Sequence, residues 1–407
     1  MPLTLHRHDV SAVRFGTAGL DDHVLTVDEA SVRDRLAADE RLSSISVSLA
    51  RPGDDTRVLC VKDVVQPRIR KSGGDVLGVL DGVAVATCGP IVGFQEGVID
   101  MSGPGAAYTP FSQLHLVVLE LAVRDGLTPH DHEKAVRAAG LTAAEIVAEV
   151  CVGAAPERTE TIARDALPAD SGLPRIAYVY MVLSQGLLHD TYVFGRDAKA
   201  GLPVIADPAR ILDNGVVSGN CVSACDKTTT YHHQNNPMIA ELLRGHGSRW
   251  DFAGTVITNA PVRLGDKRAS AEAAVALVRE MGADGAVVSK EGFGNPDADL
   301  MMLVRGLERV GIATVGITDE FAGTDGGSQS LADTTPEADA IVSTGNANQR
   351  LVLPPMTTVI GPPPDLERLA GGYPHSLRQD GSLEVELQAI MGATNELGFG
   401  RLTCRTV

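Results

Sequence analysis

No run of about 18 apolar residues occurs in this sequence, so nothing in it reads as a helix that crosses a bilayer. Basic clusters are also missing. Asp and Glu number 52 against 35 Lys and Arg, for a formal net charge of −17. A chain this acidic is not built to hold nucleic acid or an anionic membrane. Small molecules and other proteins are the expected partners. The opening residues, MPLTLHRHDVSAVRFG, lack the apolar stretch of a secretory leader. Cysteine is scarce: Cys60, Cys88, Cys151, Cys221, Cys225 and Cys404 are spread over 407 residues, and only Cys221 and Cys225 are neighbours. These absences point to a reducing, cytoplasmic setting. Neither G-x-G-x-x-G at a strand-to-helix turn nor G-x-x-x-x-G-K-[ST] occurs, so a nucleotide fold in the usual sense is not supported.

What is present is apolar enough, at 44%, for sizeable cores, and long enough for two or three domains. In the first third, Ser43–Leu49, Gly82–Gly89 and Leu114–Val123 read as strands, and Val92–Ser112 as a glycine-rich loop. Two helices should follow. Thr128 caps the first, with Pro129 behind it, and Gly140 ends it; Thr142 and Glu145 form a capping box for the second. His130 and His132, two apart on a helix, point to different faces and do not make a metal site. The stretch LPADSGLP (Leu167–Pro174) reads as a linker. Strands and helices then alternate from Arg175 to Gly345, which implies a parallel sheet. The expected class is α/β: a mixed α+β N-terminal domain (1–168), a doubly wound parallel-sheet domain (169–365), and a C-terminal extension packed on the rest (366–407).

Functional loops of such sheets lie beyond the strand C-terminal ends. That rule selects EGFGNPDAD (Glu291–Asp299), DEFAGTDGGSQS (Asp319–Ser330) and GNANQ (Gly345–Gln349). Glu291, Asn295, Asp319, Glu320 and Asn346 are therefore expected to line a pocket.

One more segment is crowded with reactive side chains: SGNCVSACDKTTTYHHQNN (Ser218–Asn236). Cys221 and Cys225 have no second cysteine pair near them and His232 and His233 are adjacent, so no metal is expected there. The Asn220–Cys221 peptide bond has an inert reading and a chemical one. In the chemical reading, the Cys221 thiolate attacks the Asn220 carbonyl in an N-to-S acyl shift. Gly219 gives backbone freedom upstream, and His232, His233 or Lys227 would assist as base or cation if the loop folds back. Intein splicing, which uses histidine before the asparagine, is disfavoured by Gly219.

Seven long stretches now decide between these readings. They are VGFQEGVIDMSG (Val92–Gly103), SQGLLHDTYVFG (Ser184–Gly195), VSGNCVSACDKTTTYHHQNNP (Val217–Pro237), EGFGNPDADL (Glu291–Leu300), TDEFAGTDGGSQSLAD (Thr318–Asp333), GNANQRLVLPPM (Gly345–Met356) and GSLEVELQAIMGAT (Gly381–Thr394). In this order they resemble the component B proproteins of glycine, sarcosine and betaine reductases, over nearly the whole chain. The resemblance implies self-cleavage at Asn220–Cys221, with Cys221 becoming a pyruvoyl group that condenses with an amine and serves as an electron sink. It implies a partner, the large component B subunit carrying selenocysteine or cysteine, a small amine or amino acid substrate, and an oligomeric assembly. Cys225, Asp226, His232 and His233 would line the maturation site, with His189 and Asp190 as acid–base groups. Two departures stand out: Arg70–Gly82 is short for the family, and Thr324 stands where members often carry arginine. Two alternatives are a relative recruited to another amine-processing pathway and an uncleaved, non-enzymatic scaffold subunit.

Overall fold

The computed structural model describes residues 2–71, 75–93, 96–168, 171–219, 227–362 and 368–399. The chain is α/β, with several mixed and parallel sheets. No helix among the described residues is long and apolar enough to cross a membrane.

Residues 42–123 form most of a mixed sheet. Its strands lie in the order Gly97–Asp100, Thr56–Val65, Val83–Cys88, His115–Val123 and Leu42–Ala50. Thr358–Ile360, far along the chain, joins it in parallel beside Thr56–Val58. A second sheet orders Arg158–Ile162, Leu3–Asp9, Val76–Asp81 and Arg68–Arg70. The two helices expected between residues 128 and 150 are one, Pro129–Ala148. Thr128 caps it, its side chain accepting the Asp131 N–H. Gly140 does not end it, because a glycine costs a helix only about 1 kcal/mol and here it solves a packing problem. A Cβ at Gly140 would sit 2.9 Å from the Thr87 methyl, so its absence lets the helix approach the sheet. The expected loop over Val92–Ser112 also holds structure: the strand Gly97–Asp100 and a short helix, Gly103–Ala106.

Downstream, one sheet orders Val204–Ala206, Asp251–Ala260, Arg175–Leu183, Gly285–Ser289, Ala313–Glu320 and Ile341–Asn346. All its pairings are parallel except that of Val204–Ala206. Every residue of Asp251–Ala260 is buried, as expected of a strand covered on both faces. Side chains alternate along Arg175–Leu183. Ala177, Val179 and Met181 join a core with Ala274 and Val278 of helix Leu264–Glu280 and Leu300, Leu303 and Val304 of helix Asn295–Arg309. Tyr178, Tyr180 and Val182 point the other way, into a core with Ile239 and Leu242 of helix Pro237–Gly245 and with Leu5, Val79 and Ile162 of the second sheet. That second face carries the Tyr180 hydroxyl, which meets His233.

Candidate functional site

The site is built from the backbone outward. Strand Val216–Ser218 pairs antiparallel with Thr191–Val193, placing Ser218 opposite Thr191. The Gly219 N–H then donates to the Asp190 carbonyl at 2.6 Å. A Cβ at Gly219 would stand 1.8 Å from the His189 carbonyl oxygen, a distance no side chain tolerates. Glycine is needed here for close approach of two backbones, not for a positive φ. The Gly219 carbonyl accepts from the Ser218 hydroxyl at 3.0 Å and from the Lys227 ammonium. Lys227 is 2% exposed. Asn220, Cys221, Cys225 and Asp226 lie outside the described residues, so the two anchored ends of their segment, Gly219 and Lys227, are what the geometry gives.

Two buried carboxylates flank this point. Asp63, from strand Thr56–Val65, accepts the Val64 N–H at 2.9 Å, the Thr230 N–H at 2.9 Å and the Thr230 hydroxyl at 2.6 Å. Glu291, just past strand Gly285–Ser289, accepts the Leu183 N–H at 3.0 Å, the Thr191 hydroxyl at 3.2 Å and the Thr228 N–H at 3.1 Å. Burial pushes the Asp63 carboxyl up to about 6, opposed by Lys227 and by the Thr230 hydrogen bonds. Burial pushes Glu291 up to about 7, opposed by the Leu183 and Thr228 amides and Lys227. A small cavity on the Asp63 side is lined by Lys62, Asp63, Glu133, Arg137, Ser218 and Gly219.

The threonines past Lys227 are not an open loop. They start the five-residue helix Thr230–Gln234, with Thr229 as its cap. The Thr229 hydroxyl accepts the His232 N–H at 3.3 Å, and His232 Nδ1 accepts the Thr229 N–H at 3.1 Å. Burial pushes His232 down to about 3, so it is neutral at physiological pH. With Nδ1 accepting, the ring proton lies on Nε2. Its faces meet Phe111 and Phe399, at centroid distances of 5.1 and 4.7 Å. His232 thus closes a capping box through Nδ1, while its buried Nε2 has no hydrogen-bond partner among the described residues. His233, held well below its ordinary value by burial, places Nδ1 2.7 Å from the Tyr180 hydroxyl. His189 places Nδ1 2.5 Å from Asp197 and packs edge-on against His130. Its backbone, not its ring, presses on Gly219. The Asp190 carboxylate accepts the Gly186 N–H at 2.8 Å.

The residues expected to line a pocket are divided among three tasks. Glu291 faces Thr228 and belongs to the cluster just described. Asp319 turns to Lys290, whose ammonium lies 3.2 Å from Asp319 and 3.0 Å from Asp297. Burial raises the Asp319 carboxyl and Lys290 opposes the rise. Asn346 shapes the glycine-rich turn, accepting the Ala322 N–H at 3.0 Å and donating to the Gly323 carbonyl at 2.8 Å. Glu320 sits opposite Asn346 in the strand register and accepts the Ser343 hydroxyl. Asn295 opens a helix, and its carbonyl receives Lys267 at 3.4 Å. Two of the three loops meet directly, Gly323 donating to Asn348 at 3.1 Å, and Ala332, just past Asp319–Ser330, donates to Asp297 at 2.7 Å. Sequence reasoning passed over Asp63 and Lys290. Asp63 had a signal, since Lys62–Asp63 interrupts an otherwise apolar run, VLCVKDVV.

Residues 1–405 match a protein family described as glycine/sarcosine/betaine reductase component B subunits. The chain belongs to this family. Among component B relatives, it is 44% identical over 420 residues to "Glycine reductase complex component B subunits alpha and beta" of Acetoanaerobium sticklandii, covering 98% of both chains. It is 44% identical to the protein of the same name from Peptoclostridium acidaminophilum, covering 97% of each. It is 41% identical to "Sarcosine reductase complex component B subunit alpha" of Peptoclostridium acidaminophilum over the full length of both. No solved structure matches.

Proposed function

We propose that this chain is the proprotein of a component B subunit in a glycine, sarcosine or betaine reductase-like complex, that it cleaves itself at Asn220–Cys221, and that it then activates a small amine or amino acid for reductive C–N cleavage. The observation that carries this reading is the 44% identity, over 98% of both chains, to a protein whose name assigns two subunits, alpha and beta, to one chain. A single chain named for two subunits supports the reading of a chain that is cut.

The chemistry balances without an outside oxidant or reductant. The Cys221 thiolate adds to the Asn220 carbonyl carbon and the C–N bond breaks, leaving a thioester and a free amine. Loss of the Cα proton and of the thiocarboxylate leaves dehydroalanine at position 221. Tautomerisation and water release ammonia and leave the pyruvoyl carbonyl. Hydrolysis of the thiocarboxylate gives the Asn220 carboxylate and hydrogen sulfide.

The described residues fit such a group. Gly219 is held by hydrogen bonds from both its peptide groups, a buried cation stands at its carbonyl, and two buried carboxyls able to hold a proton near neutral pH flank it. When present, the pyruvoyl group supplies an electrophilic carbonyl that makes an amine a better leaving group. Lys227 and Ser218 would orient the backbone leading to it, and Glu291 or Asp63 would hold the proton the departing amine needs. The nucleophile that takes up the substrate carbon would come from the large component B subunit, through selenocysteine or cysteine. Glu291, Asn295, Asp319, Glu320 and Asn346 would bind the substrate.

Intact-mass measurement of the purified protein tests the reading. Two species ending at Asn220 and beginning at a blocked residue 221 are expected, and the downstream fragment should be labelled by an amine in the presence of borohydride. A single full-length mass that persists on long incubation refutes it.

A further inference from the structure

Lys227 is the least expected residue of the site. A buried ammonium costs several kcal/mol unless something compensates it. The two carboxylates that balance its charge, Asp63 and Glu291, are already occupied by donors. Asp63 takes Val64 and Thr230; Glu291 takes Leu183, Thr191 and Thr228. The lysine instead spends its bond on a neutral acceptor, the carbonyl of Gly219. That carbonyl belongs to the peptide unit joining Gly219 to Asn220.

The contact joins Gly219 to Lys227, eight residues apart in the sequence. Both ends are fixed independently. Gly219 is wedged against the His189–Asp190 backbone. Past Lys227, Thr228 is held by Glu291, while Asn395 donates to the Thr228 hydroxyl at 3.1 Å and the Lys227 carbonyl at 3.4 Å. A cationic donor on a carbonyl fixes the plane of its amide and polarises it. Here the fixed amide is the one immediately before the bond to be cut.

We propose that Lys227 is the positioning residue of maturation: by clasping the Gly219 carbonyl it holds the peptide group that precedes the bond to be cut. This rests on the reading of the chain as a self-cleaving proprotein. The lysine does not take part in the acyl shift. It acts through the peptide group next to the reacting one.

The test follows appearance of the two fragments by intact mass after purification of uncleaved chain, in wild type, Lys227→Met and Lys227→Arg. Lys227→Met keeps the stem and loses the donor. Cleavage of its folded fraction, isolated by size exclusion, should slow by roughly tenfold or more, the worth of a charge-assisted hydrogen bond. Lys227→Arg, which keeps a cationic donor, should recover much of that loss. Because Lys227→Met leaves two buried carboxylates without their cation, the double variant Lys227→Met/Glu291→Gln, read against Glu291→Gln alone, offsets one of those charges and repeats the comparison. A wild-type rate in either folded Met variant, or no recovery with arginine, overturns the proposal. Failure of the wild-type chain to cleave instead overturns the maturation reading, a distinguishable result.

Discussion

At Glu291 one carboxylate collects three donors from three parts of the chain, and its burial has a measurable sign. Its carboxyl is lifted to about 7, from an ordinary value near about 4.3. Between those values the folded chain keeps a proton that the unfolded chain has lost. Stability from this group is therefore greatest below about pH 4, falls as pH rises toward 7, and is level above. Glu291→Gln cannot ionise, so its stability relative to the native residue should climb with pH through that window. The slope should be at most about 1.4 kcal/mol per pH unit. Urea unfolding of Cys221→Ala chains, with and without Glu291→Gln, from pH 5 to 8 reads it. A difference that is flat with pH would place the Glu291 ionisation at its ordinary value. Glu291 was readable from its place after a strand, but its partners were not. Leu183 and Thr191 contribute an amide and a hydroxyl across more than 90 residues of sequence, and no local pattern marks such a pairing. Asp63 shows the same limit from the other side: an acid inside a buried strand signals a task, but its partner Thr230 lies 167 residues away.

The alternation of strands and helices expected from Arg175 to Gly345 is present: the helix Leu264–Glu280, the strand Gly285–Ser289 and the helix Asn295–Arg309 follow one another in it. The misreading at Gly140 has a clear origin. Glycine in a helical pattern reads as punctuation, whereas the tertiary contact with Thr87 gives it a packing reason. That contact is testable. Gly140→Ala should destabilise the chain by about 1 kcal/mol, since overpacking against the Thr87 methyl outweighs the gain in helix propensity. Thr87→Ser removes that methyl, so the double variant should recover stability relative to Gly140→Ala alone. A double-mutant cycle by urea unfolding measures the coupling; additive effects would deny the contact. The Thr229–His232 capping box was missed for a different reason. His232 stands where Glu or Gln usually closes the box, so the histidine looked like chemistry when its first duty is structural.

Across the whole molecule, the proposed cut falls between elements that are already interleaved. Arg175–Leu183, upstream of residue 220, runs between Asp251–Ala260 and Gly285–Ser289, both downstream. Thr358–Ile360 pairs with Thr56–Val58 in the opposite half. Cleaved fragments should therefore elute together in size exclusion and part only in denaturant; two peaks in native buffer would contradict this topology. The parallel sheet was foreseeable from alternating strands and helices. The covering of its Tyr178–Tyr180 face by strands from the first 162 residues was not, because apolar faces name no partner. One last contact bears on timing. Asn395 holds the Lys227–Thr228 backbone from 168 residues further along the chain. A nascent polypeptide lacks that support until Asn395 has been made, so the cluster around Lys227 is completed long after its own segment is synthesised.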